Sequence, residues 1–514
     1  MKILKWGVMA ALLTSSSIYA AAQGPIIQLQ SGRIEGTTHE QVDAFLGIPY
    51  AKPPVGKLRW HRPLSPEPWQ GIKKTTEYGP GCPQVPYDGD TLASLPPNFS
   101  EDCLTINVWR PNDAVESLPV MVWIHGGGFM NGGSASPTYS GESFARNGVI
   151  LVSFNYRLGQ FGFFAHPGLR NKVFRGNYGI MDQIKALHWV QDNIVSFGGD
   201  PNNVTVFGES AGGYAINALL TSHYSRNLFN KAIIESGGGR HQLGNGQHWD
   251  QAEQVGVNFA RTLGIEGADQ QALERLRALP VDDILGDMNM WNMNDHQDIY
   301  GGSILDGRLL REHPESAYES GDFAHVPLLV GTNDYDLGFV NGSPTTRDEV
   351  FNLFGLDPIA ANAAYSGEGS LQELAYRIAM QQFMIEPARF VAREFVANNT
   401  PVWEYRFGYV ASSQQGQQPG ATHASEMAYV FNTLKAVYGQ ATTSEDQAMA
   451  TMMHQYWINF AKTGNPNGPG LPEWPQYQTN KDRLMWFSPQ GASDSQTIAD
   501  PMKTQLDVIE PSQS

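Results

Sequence analysis

The chain of 514 residues is poor in cysteine and in charge, and no run of lysine and arginine occurs in it. Two cysteines are present, and charged residues make up 17% of the chain. Soluble domains usually carry roughly 25%. Acidic residues outnumber basic ones by 51 to 34, for a formal net charge of −17. Such a chain repels phosphate backbones and anionic lipid, so we expect neither a nucleic-acid partner nor a membrane-surface partner.

Apolar residues make up 41% of the chain and aromatic residues 11%, enough to bury a large core. The 54 glycines and 32 prolines indicate many turns around the regular elements. No low-complexity linker or block of charge divides the sequence. We therefore predict one folded domain over residues 23–514; nothing in these patterns specifies its oligomeric state.

The first 22 residues have the pattern of a signal peptide. Lys2 and Lys5 precede an apolar stretch at residues 6–13, and small residues follow as far as Ala22. The apolar stretch is too short to span about 30 Å of hydrocarbon, and no later stretch approaches that length, so no stable membrane insertion is expected. We predict cleavage near Ala22 and export to the periplasm or the medium, which changes the formal charge from −17 to −19.

Export places the two cysteines, Cys82 and Cys103, in an oxidising compartment, where a pair this close in sequence forms a disulfide. The alternative is two buried free thiols. In the chain-entropy model a closed loop of about 20 residues stabilises a protein by roughly 3 kcal/mol. The sequence therefore predicts a disulfide that restrains the segment between the cysteines.

Short β-branched and aromatic runs alternate with helical patterns through the middle of the chain, which is typical of a parallel sheet covered by helices. The predicted buried strands lie at residues 120–124, 148–154, 204–207, 232–234 and 326–330, and a helix is predicted at 180–197. Residues 239–320 and 334–399 are interpreted as helical insertions above the sheet, without buried strands. The fold class is therefore α/β.

The strand at 204–207 leads directly into Gly208-Glu-Ser-Ala-Gly212, and a helical pattern follows. The G-x-S-x-G motif alone is weak, but a strand-to-helix turn around it is the setting of a nucleophilic serine. Small neighbours are required because the turn is tight. We interpret Ser210 as a nucleophile; the alternative is a structural serine in a glycine-rich turn.

Three consecutive glycines, Gly126 to Gly128, follow the strand at 120–124. Three glycines cost conformational entropy on folding. This cost is explained if the backbone N–H groups must come close to a developing negative charge. The candidate donors are the N–H groups of Gly127, Gly128 and Ala211. A phosphate-binding loop is the alternative, but no lysine follows at the required spacing.

In this architecture the acid and then the histidine follow the serine along the chain. His423 lies in a loop of small residues after a strand-like stretch, whereas His454 lies inside a helical pattern, so His423 is the predicted base. Asp334 and Asp336 follow the strand at 326–330, and Asp306 is a third candidate for the acid. The residues themselves leave this choice open, because the role needs a buried carboxylate that holds the imidazole.

Taken together, these residues and others along the chain resemble the type-B carboxylesterase family, in the cholinesterase and para-nitrobenzyl-esterase branch of the α/β-hydrolases. The resemblance extends from about Gly32 to about Trp474. It is carried by Phe-Leu-Gly-Ile-Pro-Tyr-Ala at 45–51, Glu-Asp-Cys-Leu at 101–104, His-Gly-Gly-Gly-Phe at 125–129, Asn-Tyr-Arg at 155–157, Phe-Gly-Gly-Asp-Pro-Asn at 197–202 and Val-Phe-Gly-Glu-Ser-Ala-Gly-Gly at 206–213.

The resemblance implies the α/β-hydrolase fold, with Ser210 as nucleophile, His423 as base and the three N–H groups already named as oxyanion donors. Its Gly-x-Asn-x-x-acid pattern selects Asp336, although most members have Glu there. Leu337 replaces the usual next glycine, and Asp334 remains a rival. Cys82 and Cys103 match the family's first disulfide.

The function implied is serine carboxylesterase activity on a small-molecule ester through an acyl-enzyme, without a metal or an organic cofactor. Glu209 and Ser236 are candidates for supporting roles beside the triad, and a purely structural role is equally open for each. No tryptophan lies between the two cysteines, so a choline-ester specialist is not expected. The alternatives are a non-catalytic adhesion module on the same fold and a lipase acting at interfaces.

Overall fold

The computed structural model describes residues 24–87, 98–114, 117–170, 173, 175–244, 247–367 and 369–513. The predicted signal peptide, residues 1–22, lies outside the described residues. Cys82 and Cys103 form the predicted disulfide. Within the described ranges, no helix is both long enough and apolar enough to cross a bilayer.

An eleven-stranded sheet forms the centre of the molecule, and the described residues contain eighteen strands in all, the others in small sheets of two or three strands. The strands are β1 (Ile26–Leu29), β2 (Gly32–Glu35), β3 (Thr37–His39), β4 (Val42–Pro49), β5 (Ile72–Lys74), β6 (Thr105–Pro111), β7 (Leu118–Ile124), β8 (Ile150–Phe154), β9 (Phe163–Phe164), β10 (Gly176–Asn177), β11 (Gly199–Glu209), β12 (Lys231–Glu235), β13 (Gln247–His248), β14 (Ile304–Leu305), β15 (Leu328–Asn333), β16 (Val402–Phe407), β17 (Arg483–Phe487) and β18 (Gln496–Ala499). The order in the large sheet is β18-β17-β16-β15-β12-β11-β7-β8-β6-β4-β3.

The middle of this sheet, from β17 to β8, is parallel, and the strands at both edges are antiparallel. The five predicted strands are β7, β8, β11, β12 and β15, which lie side by side in it. The carboxyl ends of parallel strands meet at one edge of a sheet, where α/β proteins place their sites. The loops after β7, β11, β12, β15 and β16 therefore converge.

The helices cover both faces of the sheet. They are α1 (Glu142–Arg146), α2 (Gly159–Gly162), α3 (Tyr178–Asn193), α4 (Ala211–Thr221), α5 (Trp249–Thr262), α6 (Gln270–Arg277), α7 (Val281–Leu285), α8 (Pro314–Glu319), α9 (Arg347–Leu353), α10 (Pro358–Ala364), α11 (Leu371–Met380), α12 (Glu386–Ala397), α13 (Met427–Val430), α14 (Leu434–Tyr438), α15 (Ser444–Thr463) and α16 (Lys503–Gln513). In β7, Val122 packs into a core shared with α3, α4 and α12, whereas Trp123 packs into a second core shared with α13 and α15.

The insertions differ from the sequence-based prediction in one detail. Residues 239–320 are mostly helical and irregular as predicted, but they include the two-residue strand Ile304–Leu305, which is buried and pairs with Gln247–His248. A strand of two residues is too short to give a recognisable apolar pattern. The predicted helix at 180–197 is α3 followed by a short 3₁₀ turn at Ile194–Phe197.

Candidate active site

Ser210 lies on the sharp turn between β11 and α4. Its backbone angles, φ 55° and ψ −123°, are strained for a residue with a side chain. The turn packs closely on the neighbouring strand, because a Cβ added to Gly212 would lie 2.0 Å from the carbonyl oxygen of Ile124. The Ser210 N–H donates to the carbonyl of Glu235, at the end of β12, over 3.0 Å. The strand, strained serine and helix form the tight strand-to-helix turn that the motif predicted, which is the setting of a nucleophilic serine.

The glycine loop after β7 packs against this turn. A Cβ on Gly126 would lie 3.1 Å from the Cβ of Ser210. Gly127 has a φ of 101°, a backbone conformation that residues with side chains rarely adopt. In the described part of the chain, the N–H groups of Gly127 and Gly128 donate to no backbone carbonyl. Ala211 opens α4, where the first N–H groups have no partner within the helix.

His423 and Asp336 are hydrogen-bonded in the loops after β16 and β15. The imidazole Nδ1 lies 2.6 Å from Oδ1 of Asp336, which is fully buried. The other oxygen, Oδ2, accepts hydrogen bonds from the Ser236 hydroxyl at 2.6 Å and from the Asn333 N–H at 2.9 Å. The Leu337 N–H donates to Oδ1 at 2.7 Å. The carboxylate therefore has one position, directed at the histidine.

Contacts between the two loops bring this pair together. Asp334 Oδ1 accepts a hydrogen bond from the Ala421 N–H at 2.8 Å, and the Tyr335 N–H donates to the Ala421 carbonyl at 3.1 Å. The Asn333 amide donates to the carbonyl of Thr422 at 2.7 Å. Asp334 thus holds the backbone of the histidine loop, while Asp336 contacts the imidazole.

Carboxylates surround the imidazole. Glu209 Oε1 lies 3.1 Å from His423 Nε2, and Glu426 is buried nearby, its Oε2 accepting a hydrogen bond from the Asn333 amide at 2.5 Å. Burial alone would lower the pKa of His423, but Glu209 and Asp336 outweigh it and raise that pKa. Burial raises the pKa of Glu209. Burial would also raise the pKa of Asp336, but His423 and the hydrogen bonds from Ser236 and Asn333 hold it below its ordinary value.

Ser210 opens into a cavity of about 730 Å³. Gly128 and Tyr214 line it near the serine, and most of its remaining wall comes from the two insertions. Apolar side chains on the wall include Leu337, Met290, Met293, Phe339, Phe383 and Met384, and polar ones include Gln242, Asn294 and Gln382. A cavity of this size and mixed lining fits a small organic molecule.

The other candidate residues have structural partners. His454 is buried, with Nδ1 2.7 Å from the Val430 carbonyl and Nε2 3.0 Å from the Ser143 hydroxyl. Asp306 Oδ1 accepts N–H groups of the following turn, among them that of Leu309 at 2.8 Å. No group of three or more His, Asp or Glu side chains in the described residues is placed to hold a metal ion.

Glu426, Tyr214 and Phe383 are not among the residues predicted from the sequence. Glu426 lies three residues after His423, and this short spacing is the one signal that could have drawn attention to it. Tyr214, four residues after Ser210, lies on the first turn of α4, and the helical pattern does not distinguish it from its neighbours. Phe383 lies 173 residues after Ser210 in sequence, and its place in the cavity depends on how the insertion packs.

A serine at a strand-helix elbow, a buried carboxylate bonded to a histidine, and a glycine loop all lie at the carboxyl edge of a mostly parallel sheet. This combination defines the α/β-hydrolase class.

The comparisons with known proteins agree. The family model described as "Carboxylesterase family" matches residues 23–354 and 357–506. The para-nitrobenzyl esterase of Bacillus subtilis is 37% identical over 467 residues, which cover 88% of this chain and 92% of that protein. The fumonisin B1 esterase of Sphingopyxis macrogoltabida is 34% identical, covering 96% and 92%. A solved para-nitrobenzyl esterase structure superposes with a TM-score of 0.81 at 34% identity, covering 94% of this chain and 99% of that one. The chain belongs to the carboxylesterase family and is a carboxylic-ester hydrolase.

Proposed function

We propose that the protein hydrolyses carboxylic esters by forming an acyl-enzyme on Ser210. His423 accepts the proton of the serine hydroxyl as the oxygen attacks the ester carbonyl, and then donates it to the leaving alcohol. Water, activated by the same imidazole, releases the acid. The hydrogen bond of 2.6 Å between His423 and Asp336 is the observation that carries this proposal, since it orients the base and stabilises the imidazolium.

The N–H groups of Gly127, Gly128 and Ala211 are the proposed donors to the tetrahedral oxyanion. Gly127 and Gly128 donate to no backbone carbonyl in the described residues, and Ala211 opens a helix. The positive end of the α4 dipole also favours negative charge at this point. Donors that are already fixed in position stabilise the transition state without reorganisation.

The lining of the cavity favours uncharged ester substrates that carry an apolar group of moderate size. The buried cation at its wall, Arg240, is neutralised by Glu386 at 2.6 Å and by Glu315, so it offers no free positive charge. Leu337, Phe383 and Met384 supply apolar surface. Two relatives are named for para-nitrobenzyl and fumonisin B1 esters, and both compounds belong in a substrate panel.

A serine-reactive phosphonate and p-nitrophenyl acetate test the proposal. We expect the phosphonate to label Ser210 stoichiometrically, and the Ser210→Ala variant to lose both labelling and ester hydrolysis. Ser222→Ala is the matched control, because Ser222 is buried at the other end of α4 and does not line the cavity. Ester turnover that persists in a folded Ser210→Ala protein would overturn the proposal.

We also propose that the protein acts outside the cytoplasm. The Cys82–Cys103 bond supports this, since disulfides persist in oxidising compartments. Sequencing the amino terminus of the protein recovered from cell fractions tests it, with cleavage near Ala22 expected. Full-length protein confined to the cytoplasm would contradict export.

A further inference from the structure

A π-helical segment, Gln381–Ile385, interrupts the helix that runs from α11 into α12. Pro387 lies in the first turn of α12, where its ring would clash with the carbonyl four residues earlier in a regular α-helix. The π segment relieves this clash by inserting one residue into the turn. Such segments are frequent at functional sites.

This geometry deprives the carbonyl of Gln382 of its regular donors. The Glu386 N–H, which an α-helix would direct to Gln382, donates to Gln381 instead. In the π pattern the donor to Gln382 would be residue 387, but proline has no N–H. A helical carbonyl that lacks its donor within the helix takes one from another group or from water.

The C-terminal helix α16 supplies that donor. The side-chain amide of Gln513 donates to the Gln382 carbonyl over 2.6 Å. A second contact runs the other way, from the Gln382 side chain to the Ser512 hydroxyl at 3.2 Å. The neighbouring residue of the π segment, Gln381, is held by Gln505 at 2.6 Å. Three residues of α16 therefore bind two consecutive residues of the π segment.

A buried arginine of α12 and two buried apolar side chains of α16 hold α16 in place. Arg389 is fully buried and pairs with Asp507 at 2.9 Å and with Glu510 at 3.2 Å. Leu506 and Ile509 are buried on the same helix. The last turn of α16, with Gln513, is thereby fixed beside the π segment.

The π segment is also a wall of the Ser210 cavity. Gln382, Phe383 and Met384 line the cavity, and so does Gln513 itself. The ring of Phe383 lies 6.2 Å from that of Tyr214, on the first turn after the serine, and 5.2 Å from that of Phe339. A shift of the π segment would therefore move an aromatic wall that faces the substrate.

We propose that Gln513 is a positioning residue for substrate selectivity: its amide replaces the N–H that Pro387 lacks and so fixes the Phe383–Met384 wall of the ester site. This inference rests on the proposed function of the cavity at Ser210. Gln513 acts through the π segment and takes no part in the acyl transfer.

The test compares the full chain with Gln513→Ala and Gln513→Glu. Glutamate keeps the length of the side chain but places carboxylate oxygens against the Gln382 carbonyl. The measurements are kcat/KM for a series of p-nitrophenyl esters of increasing acyl size and for a series of acetate esters of increasing alcohol size. We expect the ratio between the bulkiest and the smallest ester to change at least about threefold in one series, a factor of the size by which losing one hydrogen bond shifts a conformational equilibrium. The change with glutamate should equal or exceed that with alanine.

Lys503→Ala is the matched control, because Lys503 lies on the same helix and pairs with Asp507 at 2.5 Å on the surface, without touching the π segment. It should leave both ratios within about twofold of the parent. Thermal unfolding of each variant separates a change in selectivity from general loosening of α16.

A double-mutant cycle with Pro387→Ala isolates the mechanism. Alanine restores an N–H at position 387, so Gln513→Ala should change the ratio by less than about twofold in that background. An equally large effect of Gln513→Ala in both backgrounds, or unchanged ratios in the Gln513 variants, would overturn the inference. If the parent hydrolyses p-nitrophenyl acetate and its Ser210 is labelled, such a result leaves the proposed function intact. If either the hydrolysis or the labelling is missing, the proposed function itself fails.

Discussion

The Ser236 hydroxyl donates a 2.6 Å hydrogen bond to Oδ2 of Asp336, the carboxylate whose other oxygen contacts His423. The bond is buried and connects the ends of neighbouring parallel strands, β12 and β15. The Asp336 side chain is one methylene shorter than that of glutamate, the other residue type that serves as the acid in this architecture. Ser236, together with the N–H groups of Asn333 and Leu337, holds the shorter side chain in place.

Replacing Ser236 by alanine is therefore expected to lower kcat about tenfold while leaving the fold intact. A hydrogen bond to a charged group contributes about 1.5–3 kcal/mol, and the two backbone donors to Asp336 remain. Steady-state kinetics and the thermal unfolding midpoint check this. Ser222→Ala serves as the control, since the Ser222 hydroxyl is buried and has no hydrogen-bond partner in the described structure. A Ser236→Ala enzyme as active as that control would show that Ser236 has no role in positioning Asp336.

Asp336→Asn should reduce kcat about 10³- to 10⁴-fold, because an amide does not stabilise the imidazolium and favours the wrong tautomer. Asp334→Asn is the matched substitution two residues away. Asparagine keeps the oxygen that accepts the Ala421 N–H, so this variant should lose less than about tenfold. The reverse ranking of the two kcat values would assign the acid to Asp334.

Glu209→Gln should shift the acidic limb of the kcat/KM profile to lower pH. The base must be neutral to accept a proton, so activity rises as pH passes upward through the pKa of His423. Glu209 raises that pKa, and removing its charge disfavours the imidazolium, so the neutral base persists to lower pH. The maximal rate should fall, because the transition state also contains an imidazolium.

Glu426→Gln provides a graded comparison, since Glu426 raises the pKa of His423 less than Glu209 does. Its acidic limb should move in the same direction by a smaller amount. A full pH profile of each variant is the measurement. A shift of the acidic limb to higher pH in Glu209→Gln would contradict the conclusion that Glu209 raises the pKa of His423.

Replacing both cysteines by serine should lower the free energy of unfolding by roughly 3 kcal/mol, as expected for a closed loop of this length. It should also lower kcat severalfold. The reason is Gln84, two residues after Cys82, whose side chain exchanges hydrogen bonds of 2.8 and 2.9 Å with Gly132, just beyond the glycine loop. Denaturant unfolding and kinetics, with and without reductant, measure both effects. Reductant should affect the parent and leave the double-serine variant unchanged.

The sequence alone determined the central strands and the Ser210 elbow. These features depend on local patterns: an apolar run that is buried on both faces, and glycines wherever a side chain would collide, as at Gly212. It also limited the histidine to His423 or His454, because chain order in this architecture left no other candidate. Local patterns and chain order were sufficient for these predictions.

Tertiary structure alone decided which partners meet. Local pattern does not distinguish Asp334 from Asp336, and only the family resemblance favours Asp336. In the structure, Asp334 accepts a backbone N–H from Ala421 in the histidine loop, and Asp336 contacts His423. Likewise, the Gln382 carbonyl is satisfied by Gln513, far away in the chain. Such pairings depend on how loops and helices that are far apart in the sequence pack together, and local periodicity does not predict that packing. The turn that carries Ser210 could therefore be predicted from the sequence, whereas the hydrogen bonds that hold Asp336 and the walls of the cavity became evident only in the folded chain.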